Sequence, residues 1–141
     1  MKDCVFCKIV RRELPADIVF ENDHVLAFLD IAPINKGHTL VIPKNHQESP
    51  SPISDEEHMN LMKVASHIGR ALVKGCDYDG YNLHLSSGGC AGQAVPHVHM
   101  HVVPRVGTDG FHWNWRSLSY EGSEKAEIID KINQKMKIDE P

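Results

Sequence analysis

Residues 96 to 104 read Pro96-His97-Val98-His99-Met100-His101-Val102-Val103-Pro104. Imidazole and aliphatic side chains alternate along this stretch. This is the pattern of a β-strand with one buried face, because successive side chains of a strand point to opposite faces. The three histidines therefore share a face at intervals of about 6.7 Å, and the apolar residues between them point into a core. Pro96 and Pro104 cannot donate to a sheet ladder, so we expect them at the two ends of the strand.

Three histidines on one strand face indicate chemistry, since a plain solvated face would more simply carry Lys, Thr or Glu. Imidazole binds metal ions, and it is largely neutral near pH 7, so it is also a competent nucleophile, acid or base. The residues of this strand leave both readings open: metal ligation, and nucleophilic or acid–base catalysis.

Composition narrows the class of protein. The chain has 141 residues, of which 41% are hydrophobic and 24% charged, as expected for one globular domain with a sizeable core. Its formal net charge is −4, and no run of Lys or Arg exceeds the pair Arg11-Arg12, which argues against a nucleic-acid partner. No stretch approaches the ~20 apolar residues of a membrane span, and no apolar run follows Met1-Lys2. We therefore predict a cytoplasmic protein with no membrane association.

Short β-branched or aromatic runs at residues 18–20, 25–29 and 38–42 are separated by turn residues, which predicts an antiparallel meander. Residues 81–85 are a further alternating strand. The glycine-rich turn after it makes this strand one arm of a hairpin whose other arm is the histidine strand.

Helical patterns occupy the rest of the chain. Ser54 and Glu57 form a capping box at the start of a long helix, for which Gly75 is the expected C-terminal cap. Shorter helices are expected at residues 5–12 and 123–137. Together these elements predict an α+β fold, a five-stranded antiparallel sheet with one long and one or two short helices on one side.

Cys4 and Cys7 are separated by two residues, the usual gap between two cysteines that bind one zinc ion. In a reducing compartment this spacing favours a metal or redox pair over a disulfide. No second pair of cysteines or histidines follows at the spacing of a zinc finger, so any further ligands would come from distant strands. By spacing alone, a metal site and a chance pair are both open.

The segment Gly88–Gln93 leads directly into the histidine strand and matches neither a Walker A motif nor a dinucleotide fingerprint. It is either a bare hairpin turn or an anion site. For an anion site, its backbone N–H groups and the Gln93 amide would lie beside His99 and His101.

The motif His97-x-His99-x-His101, followed by apolar residues, resembles the signature of the histidine triad (HIT) superfamily. Four further segments resemble family segments in the same order, so that the resemblance covers about residues 4 to 106: Phe6-Cys7-Lys8-Ile9, Leu26 to Ile31, Gly37 to Lys44 and Ala91-Gly92-Gln93. It implies a HIT-like fold with a HIT domain at residues 1–106 and a C-terminal extension at 107–141 that packs on the same domain.

The resemblance also implies an activity, that of a nucleotide phosphoramidase or nucleotidyl hydrolase acting on purine nucleotide (AMP or GMP) conjugates. His99 would attack the α-phosphorus, and water would hydrolyse the resulting nucleotidyl-histidine. His101 would contact the phosphate, and His38 would orient the attacking ring. A Fhit-like dinucleoside polyphosphate hydrolase is an alternative, because Ala91–His97 and Val103-Pro104-Arg105 are similar to that branch. A nucleotide-binding adaptor without turnover is another.

A nucleotide site follows from the same resemblance. Asp30 would bind the ribose. The base would lie among Ile9, Leu14, Phe28, Leu29 and Ile31, and the phosphate or leaving group beside Ser86, Gln93 and Ala94. Two of these positions depart from the Hint branch, which usually has Asn in place of Ser86 and Ser in place of Ala94. For each apolar residue a plain core role is as good an interpretation as a base contact.

In zinc-containing members of the family, the resemblance implies that a structural zinc is held by Cys4, Cys7, His46 and His97. His97 would then have a structural role, and His99 would be free for chemistry. The remaining histidines show no partner pattern and are expected at the surface or in the core: His24, His58, His67, His84 and His112.

The resemblance further implies a two-fold homodimer. The helix from Ser54 to Lys74 and the edge strand 81–85 would pair with their copies, which removes an exposed sheet edge. The tail, through Trp113 or Trp115, would then influence which leaving group is accepted.

Overall fold

The computed structural model describes residues 4–49, 53–114 and 116–136. Five strands form one antiparallel sheet in the order β1-β2-β3-β5-β4: β1 Ile18–Glu21, β2 Val25–Leu29, β3 Thr39–Pro43, β4 Gly80–Leu85 and β5 Met100–Arg105. Three α-helices accompany it: α1 Val5–Val10, α2 Asp55–Gly75 and α3 Glu124–Lys135. The predicted α+β class, the meander and the hairpin are confirmed.

Two apolar clusters lie on opposite faces of the sheet. On one face α2 packs on β3, β4 and β5, and Val41, Leu61 and Val102 are buried there. On the other face α1 contributes Phe6 and Ile9 to a cluster whose remaining members come mainly from β2 and β3. The prediction that the helices share one side was therefore wrong for α1, because the alternating strand residues bury apolar side chains on both faces.

The start of α2 is the predicted capping box. Ser54 Oγ accepts from the Glu57 N–H at 3.3 Å, and the Glu57 carboxylate accepts from the Ser54 N–H at 3.1 Å. Its end differs from the prediction, because Gly75 is the last helical residue and Cys76 is the C-cap. Asp77 is the residue with positive φ, at 56°, and Asp tolerates that conformation better than most residues.

The histidine strand is shorter than predicted. The ladders that β5 makes with β3 and with β4 both end at Met100, so only His101 of the three histidines lies within β5. The preceding residues run beyond the sheet, where the Val98 N–H donates to the Gln47 carbonyl at 2.7 Å. The alternation nevertheless persists, since Val98 and Met100 are buried in the cluster beneath α2.

Pro104 was expected to end the strand but lies inside β5, paired with Tyr81. Its carbonyl accepts from Asn35 Nδ2 at 2.8 Å, on the side of β3. The nitrogen and the carbonyl oxygen of one strand residue point to the same side, so the Pro104 nitrogen also faces β3. The pairing of β3 with β5 has already ended at Val102. The missing N–H therefore removes no ladder hydrogen bond.

The chain divides by its contacts into two units, the first ending at Phe111 and the second beginning at His112. The first unit extends a few residues beyond the predicted boundary at 106. Arg105 accounts for this, because its guanidinium donates to the Asp109 carboxylate at 2.6 Å and to the Phe111 carbonyl at 2.7 Å.

The second unit contains α3, whose residues are all exposed. The helix lies within the predicted range 123–137, with Ser123 as its N-cap and Met136 as its C-cap, and Lys137 lies outside the described residues. That this extension packs on the first unit stays a prediction. In the described ranges, no helix is both long enough and apolar enough to cross a membrane.

Candidate functional site

A cluster of imidazole rings lies on the sheet face opposite α2. His101 in β5 is central, with the ring centroids of His38, His84 and His99 at 5.1, 5.9 and 5.0 Å. His38 comes just before β3, His84 is in β4, and His99 comes just before β5. Three segments of the sheet therefore contribute to one group of titratable side chains.

His99 is held by its own backbone neighbour. Its Nδ1–H donates to the His97 carbonyl at 2.7 Å, which fixes the neutral tautomer with the hydrogen on Nδ1. The lone pair is therefore on Nε2. The Phe6 ring packs edge-on against His99 with centroids 5.3 Å apart, and the side chain is only 6% exposed. This is the arrangement of a buried nucleophile with one available nitrogen.

His38 and His101 are hydrogen-bonded to each other, Nε2 to Nδ1, at 2.9 Å. The direction of this bond follows from the Ile34 N–H, which donates to His38 Nδ1 at 3.2 Å. His38 Nδ1 is thus an acceptor, its Nε2–H donates to His101 Nδ1, and His101 carries its hydrogen on Nε2. The Ile34 backbone and the His38 side chain together make His101 Nε2–H a donor.

Both rings are kept neutral. Burial lowers the pKa of His101 to about 4, with further lowering by His99 and His38. Burial also lowers the pKa of His38, against the opposing effect of Asp30. Neutral rings keep the two hydrogen bonds in the order Ile34 to His38 to His101, since a second proton on either ring would remove the nitrogen that accepts.

Asp30, the predicted ribose partner, follows β2 and lies beside the hydrogen bond between His38 and His101. Its Oδ2 is 3.7 Å from His38 Nε2, and its Oδ1 accepts from the Ala32 N–H at 2.8 Å. Asp30, His38 and His101 could also group around a metal ion, but the two imidazole atoms concerned are already bonded to each other.

The five residues predicted to contact the nucleotide base differ in how exposed they are. Ile9 and Phe28 are buried in the cluster beneath α1, and a base contact at either stays a prediction. Leu14 and Leu29 are each 38% exposed, and Ile31 is fully exposed. A base contact at these three stays a prediction that their accessibility permits.

Gln93 shapes the glycine-rich loop. Its Oε1 accepts from the Gly88 N–H at 2.8 Å, and its Nε2 donates to the carbonyls of Glu48 and Val95 at 2.7 and 3.1 Å. Both amide hydrogens are used within the protein, so the predicted donation from Gln93 to an anion is not available. Its contribution is to hold the loop backbone.

Sequence reasoning missed His84. The β4–β5 register places it directly opposite His101, and its Nε2 is 2.9 Å from Oγ of the buried Ser86. A hairpin drawn with equal arms about Gly92 and Gln93 would have shown this pairing from the sequence. Ala94 is exposed, and its methyl side chain offers no hydrogen-bond donor.

Trp113 and Trp115 of the tail were predicted to influence which leaving group is accepted. Trp115 lies outside the described residues, and the influence of Trp113 on the leaving group stays a prediction. His24, His67 and His112 are exposed, in agreement with the surface role expected of them.

A second constellation joins the chain's N-terminus to the start of the histidine motif. Cys4 Sγ is 3.4 Å from His97 Nδ1, and Cys7 Sγ is 3.2 Å from His46 Nδ1 and 3.6 Å from His97 Nδ1. One donor atom from each of these four residues lies within 4.8 Å of every other. The four predicted metal ligands are therefore brought together by the fold.

The donor chemistry fits a tetrahedral metal ion. His97 is fully buried, and its Nε2–H donates to the Pro43 carbonyl at 2.9 Å, which leaves the Nδ1 lone pair toward the cysteines. His46 Nε2 lies 3.8 Å from the Glu48 carboxylate. Burial raises the pKa of Cys7, with Cys4 adding to the effect, so a cation would be needed for the Cys7 thiol to ionise at neutral pH.

Comparison with known proteins identifies the family. The model of the HIT domain matches residues 11–108. An uncharacterized HIT-like protein of Methanocaldococcus jannaschii is 50% identical over 107 residues, which are 76% of this chain and 82% of that protein. The adenosine 5'-monophosphoramidase hnt1 of Schizosaccharomyces pombe is 35% identical over 135 residues, 95% of this chain and 98% of that one.

Solved structures agree with the fold. A HIT family member from Bacillus subtilis superimposes with a TM-score of 0.88 at 38% identity, covering 96% of this chain and 99% of that one. A zinc-bound histidine triad family protein from Mycobacterium smegmatis gives a TM-score of 0.76 at 34% identity, covering 94% and 97%. With the five-stranded sheet and the histidine cluster described above, these matches show that the chain belongs to the HIT domain family.

Proposed function

We propose that this protein is a nucleotide phosphoramidase, a nucleotidyl hydrolase that cleaves at the α-phosphate of purine nucleotide conjugates. The observation that carries the proposal is the bond from His99 Nδ1–H to the His97 carbonyl, which leaves Nε2 as the nucleophilic position of a buried ring. The relationship to an adenosine 5'-monophosphoramidase of fission yeast supports an adenylyl substrate.

The reaction has two displacements at phosphorus. In the first, the lone pair of His99 Nε2 forms a bond to the α-phosphorus while the bond from phosphorus to the leaving group breaks. The leaving group keeps the electron pair of that bond and, where it is an amine, takes up a proton from solvent water. The ring then carries a positive charge, which the hydrogen bond from Nδ1 to the His97 carbonyl stabilises. In the second, a water oxygen bonds to phosphorus, and the bond from phosphorus to His99 Nε2 breaks with its electron pair returning to the ring. The proton of the water passes to solvent, so the neutral ring is restored and the nucleotide is released.

His101 supports both displacements as a hydrogen-bond donor. Its Nε2–H, kept in place by His38 and Ile34, would donate to an oxygen of the phosphoryl group, where negative charge is concentrated in the transition state. A donor that is already oriented needs no reorganisation during the reaction, which is why a fixed tautomer is more effective than a freely exchanging one.

Zinc is proposed as the structural metal of Cys4, Cys7, His46 and His97. The zinc-bound relative and the two-thiol, two-imidazole donor set support this identity. Four protein donors fill a tetrahedral site, so zinc would tie the N-terminus to the histidine motif and take no part in the reaction. By holding His97, it would also steady the carbonyl on which the tautomer of His99 depends.

A homodimer is proposed as well. β4 is an edge strand of the sheet, and pairing it with its copy would extend the ladder across a two-fold axis. Exposed Met59 and Met62 on α2 are compatible with a helix that contacts its copy at the same interface.

The test of function uses adenosine 5'-phosphoramidate, its guanosine analogue and a diadenosine polyphosphate as substrates for the zinc-loaded protein. We expect the phosphoramidates to be hydrolysed and a nucleotidyl-protein, stable in alkali, to be trapped by rapid quench. His99→Ala should lower kcat by about 10⁴-fold or more, and the matched change His67→Ala on the exposed face of α2 should not.

Two results would contradict the proposal. Nucleotide binding without turnover in the wild type would indicate an adaptor. Faster cleavage of the diadenosine polyphosphate than of either phosphoramidate would indicate the Fhit-like activity.

A further inference from the structure

His84 and Ser86 are neighbours of the two reactive histidines on the same face of the sheet. His84 pairs with His101 in the β4–β5 register, and the last pair of that ladder is Leu85 with Met100. Ser86 and His99 are the next residues beyond that last pair, one on each arm of the hairpin. His84 Nε2 is 2.9 Å from Ser86 Oγ, and the ring of His101 is 5.9 Å from that of His84 and 5.0 Å from that of His99, so the four side chains form one group at this end of the sheet.

The Ser86 hydroxyl is in a restricted place. Its side chain is 7% exposed, and its Oγ is 2.9 Å from His84 Nε2. On its other side is the glycine-rich loop, since a Cβ at Gly92 would lie 3.8 Å from Ser86 Oγ. A hydroxyl has one hydrogen and rotates freely, so whichever group bonds to its oxygen decides where that hydrogen points.

We propose that His84 is a positioning residue that directs the Ser86 hydroxyl at the phosphoryl group attacked by His99. The His84 Nε2–H donates to Ser86 Oγ, which leaves the hydroxyl hydrogen to donate to one nonbridging oxygen of that group. This inference rests on the proposed function.

The position of Ser86 in the sheet determines which phosphoryl oxygen it serves. Asp30 and His38 lie toward β2 and β3, on one side of β5, and that side is the proposed place of the nucleoside. Ser86 lies on the other side, at the end of β4. A phosphoryl group above His99 therefore presents one nonbridging oxygen to Ser86, and the two nonbridging oxygens are not equivalent.

This inequivalence gives a readout that a merely structural role would not move. The probes are the two phosphorus diastereomers of the adenosine 5'-phosphoramidate in which one nonbridging oxygen is replaced by sulfur. Sulfur accepts hydrogen bonds more weakly than oxygen. We expect the wild type to hydrolyse more slowly the diastereomer whose sulfur faces Ser86.

Ser86→Ala should lower kcat/KM for the oxygen substrate by about 10- to 100-fold and reduce the preference between diastereomers. His84→Ala should change both quantities in the same direction. His84→Gln should restore most of the activity and the preference, because its amide N–H can reach the position of Nε2. Ser87→Ala, at the exposed neighbouring serine, is the matched control and should alter neither quantity.

A double variant separates positioning from folding. Ser86→Asn supplies a donor amide that needs no partner to orient its hydrogens. In that background, His84→Ala should change kcat/KM less than threefold, about 0.7 kcal/mol by the tenfold-per-1.4 kcal/mol relation. An equally large loss in both backgrounds would show that His84 acts through the fold, and the proposal would fail.

The outcome also distinguishes this inference from the proposed function. A wild type that hydrolyses the phosphoramidate through His99, together with an unchanged diastereomer preference in Ser86→Ala, would overturn only the role of His84 and Ser86. A wild type without turnover, or a fully active His99→Ala, would overturn both.

Discussion

His38 Nε2 lies 2.9 Å from His101 Nδ1, and the Ile34 backbone N–H stands behind it at 3.2 Å from His38 Nδ1. A peptide hydrogen that cannot move therefore sets the tautomer of two side chains in succession. Throughout the described parts of the chain, every buried side-chain nitrogen and oxygen has a hydrogen-bond partner. The site is thus preorganised before a substrate arrives, which is the condition for electrostatic stabilisation of a transition state.

Replacing His38 should release the tautomer of His101. We expect His38→Ala to lower kcat about tenfold, the equivalent of one hydrogen bond of roughly 1.4 kcal/mol, with a smaller change in KM. His38→Gln retains an amide donor and should recover most of kcat. Steady-state kinetics and the ¹⁵N shifts of the His101 ring measure the two effects. Unchanged ¹⁵N shifts of the His101 ring in His38→Ala would contradict the prediction that His38 fixes the tautomer of His101.

The acid dependence of stability follows from the lowered pKa of His101. Its folded-state pKa is about 4, and its ordinary value is 6.5, so the unfolded chain binds this proton first as pH falls. The contribution is fully present above about pH 6.5 and is lost progressively toward pH 4. We expect His101→Gln to show a flatter fall in unfolding free energy than the wild type across this window. A His101 ring that titrates near 6.5 by NMR would refute the prediction.

Metal content should depend on two of the four cysteines. Protein purified without added metal is expected to carry about one zinc per chain, and Cys4→Ser should lose it. The exposed Cys76 and Cys90 are natural controls, so Cys76→Ser and Cys90→Ser should keep the metal. Metal analysis and thermal denaturation make the comparison. If chelation abolished turnover before it lowered the melting temperature, a catalytic metal would be indicated instead.

Two glycines of α2 should respond oppositely to alanine. A Cβ at Gly69 would lie 2.5 Å from the Tyr81 ring in β4, so Gly69→Ala should cost about 1–3 kcal/mol by overpacking. A Cβ at Gly75 would meet nothing within 4 Å, and Gly75→Ala should be neutral or stabilising by up to about 1 kcal/mol. Denaturant unfolding midpoints test both. Equal effects would show that helix propensity outweighs the contact with Tyr81.

Assembly is tested by light scattering. We expect a mass of two chains at micromolar concentration, since β4 is an edge strand that self-pairing would cover. A chain truncated after Phe111, where the first unit ends, should still dimerise if β4 and α2 form the interface. A monomeric full-length chain would refute the dimer. A dimer lost only on truncation would move the interface to the C-terminal unit.

Features encoded in neighbouring residues could be predicted from the sequence. The α+β class, the meander of β1 to β3, the capping box of Ser54 and Glu57, and the alternation around His99 all follow from short periodicities, because the local backbone decides which side chains share a face. The family motif added the set of metal ligands, since it relates residues that no local pattern connects.

Tertiary structure alone decided the contacts between distant segments. It placed His84 against His101, used both amide hydrogens of Gln93 within the loop, and ended the two ladders at Met100, so that His97 and His99 lie beyond the sheet. It also decided which nitrogen of each histidine carries its hydrogen. Strand register and histidine tautomer depend on partners far away in the sequence, so local periodicity does not determine them.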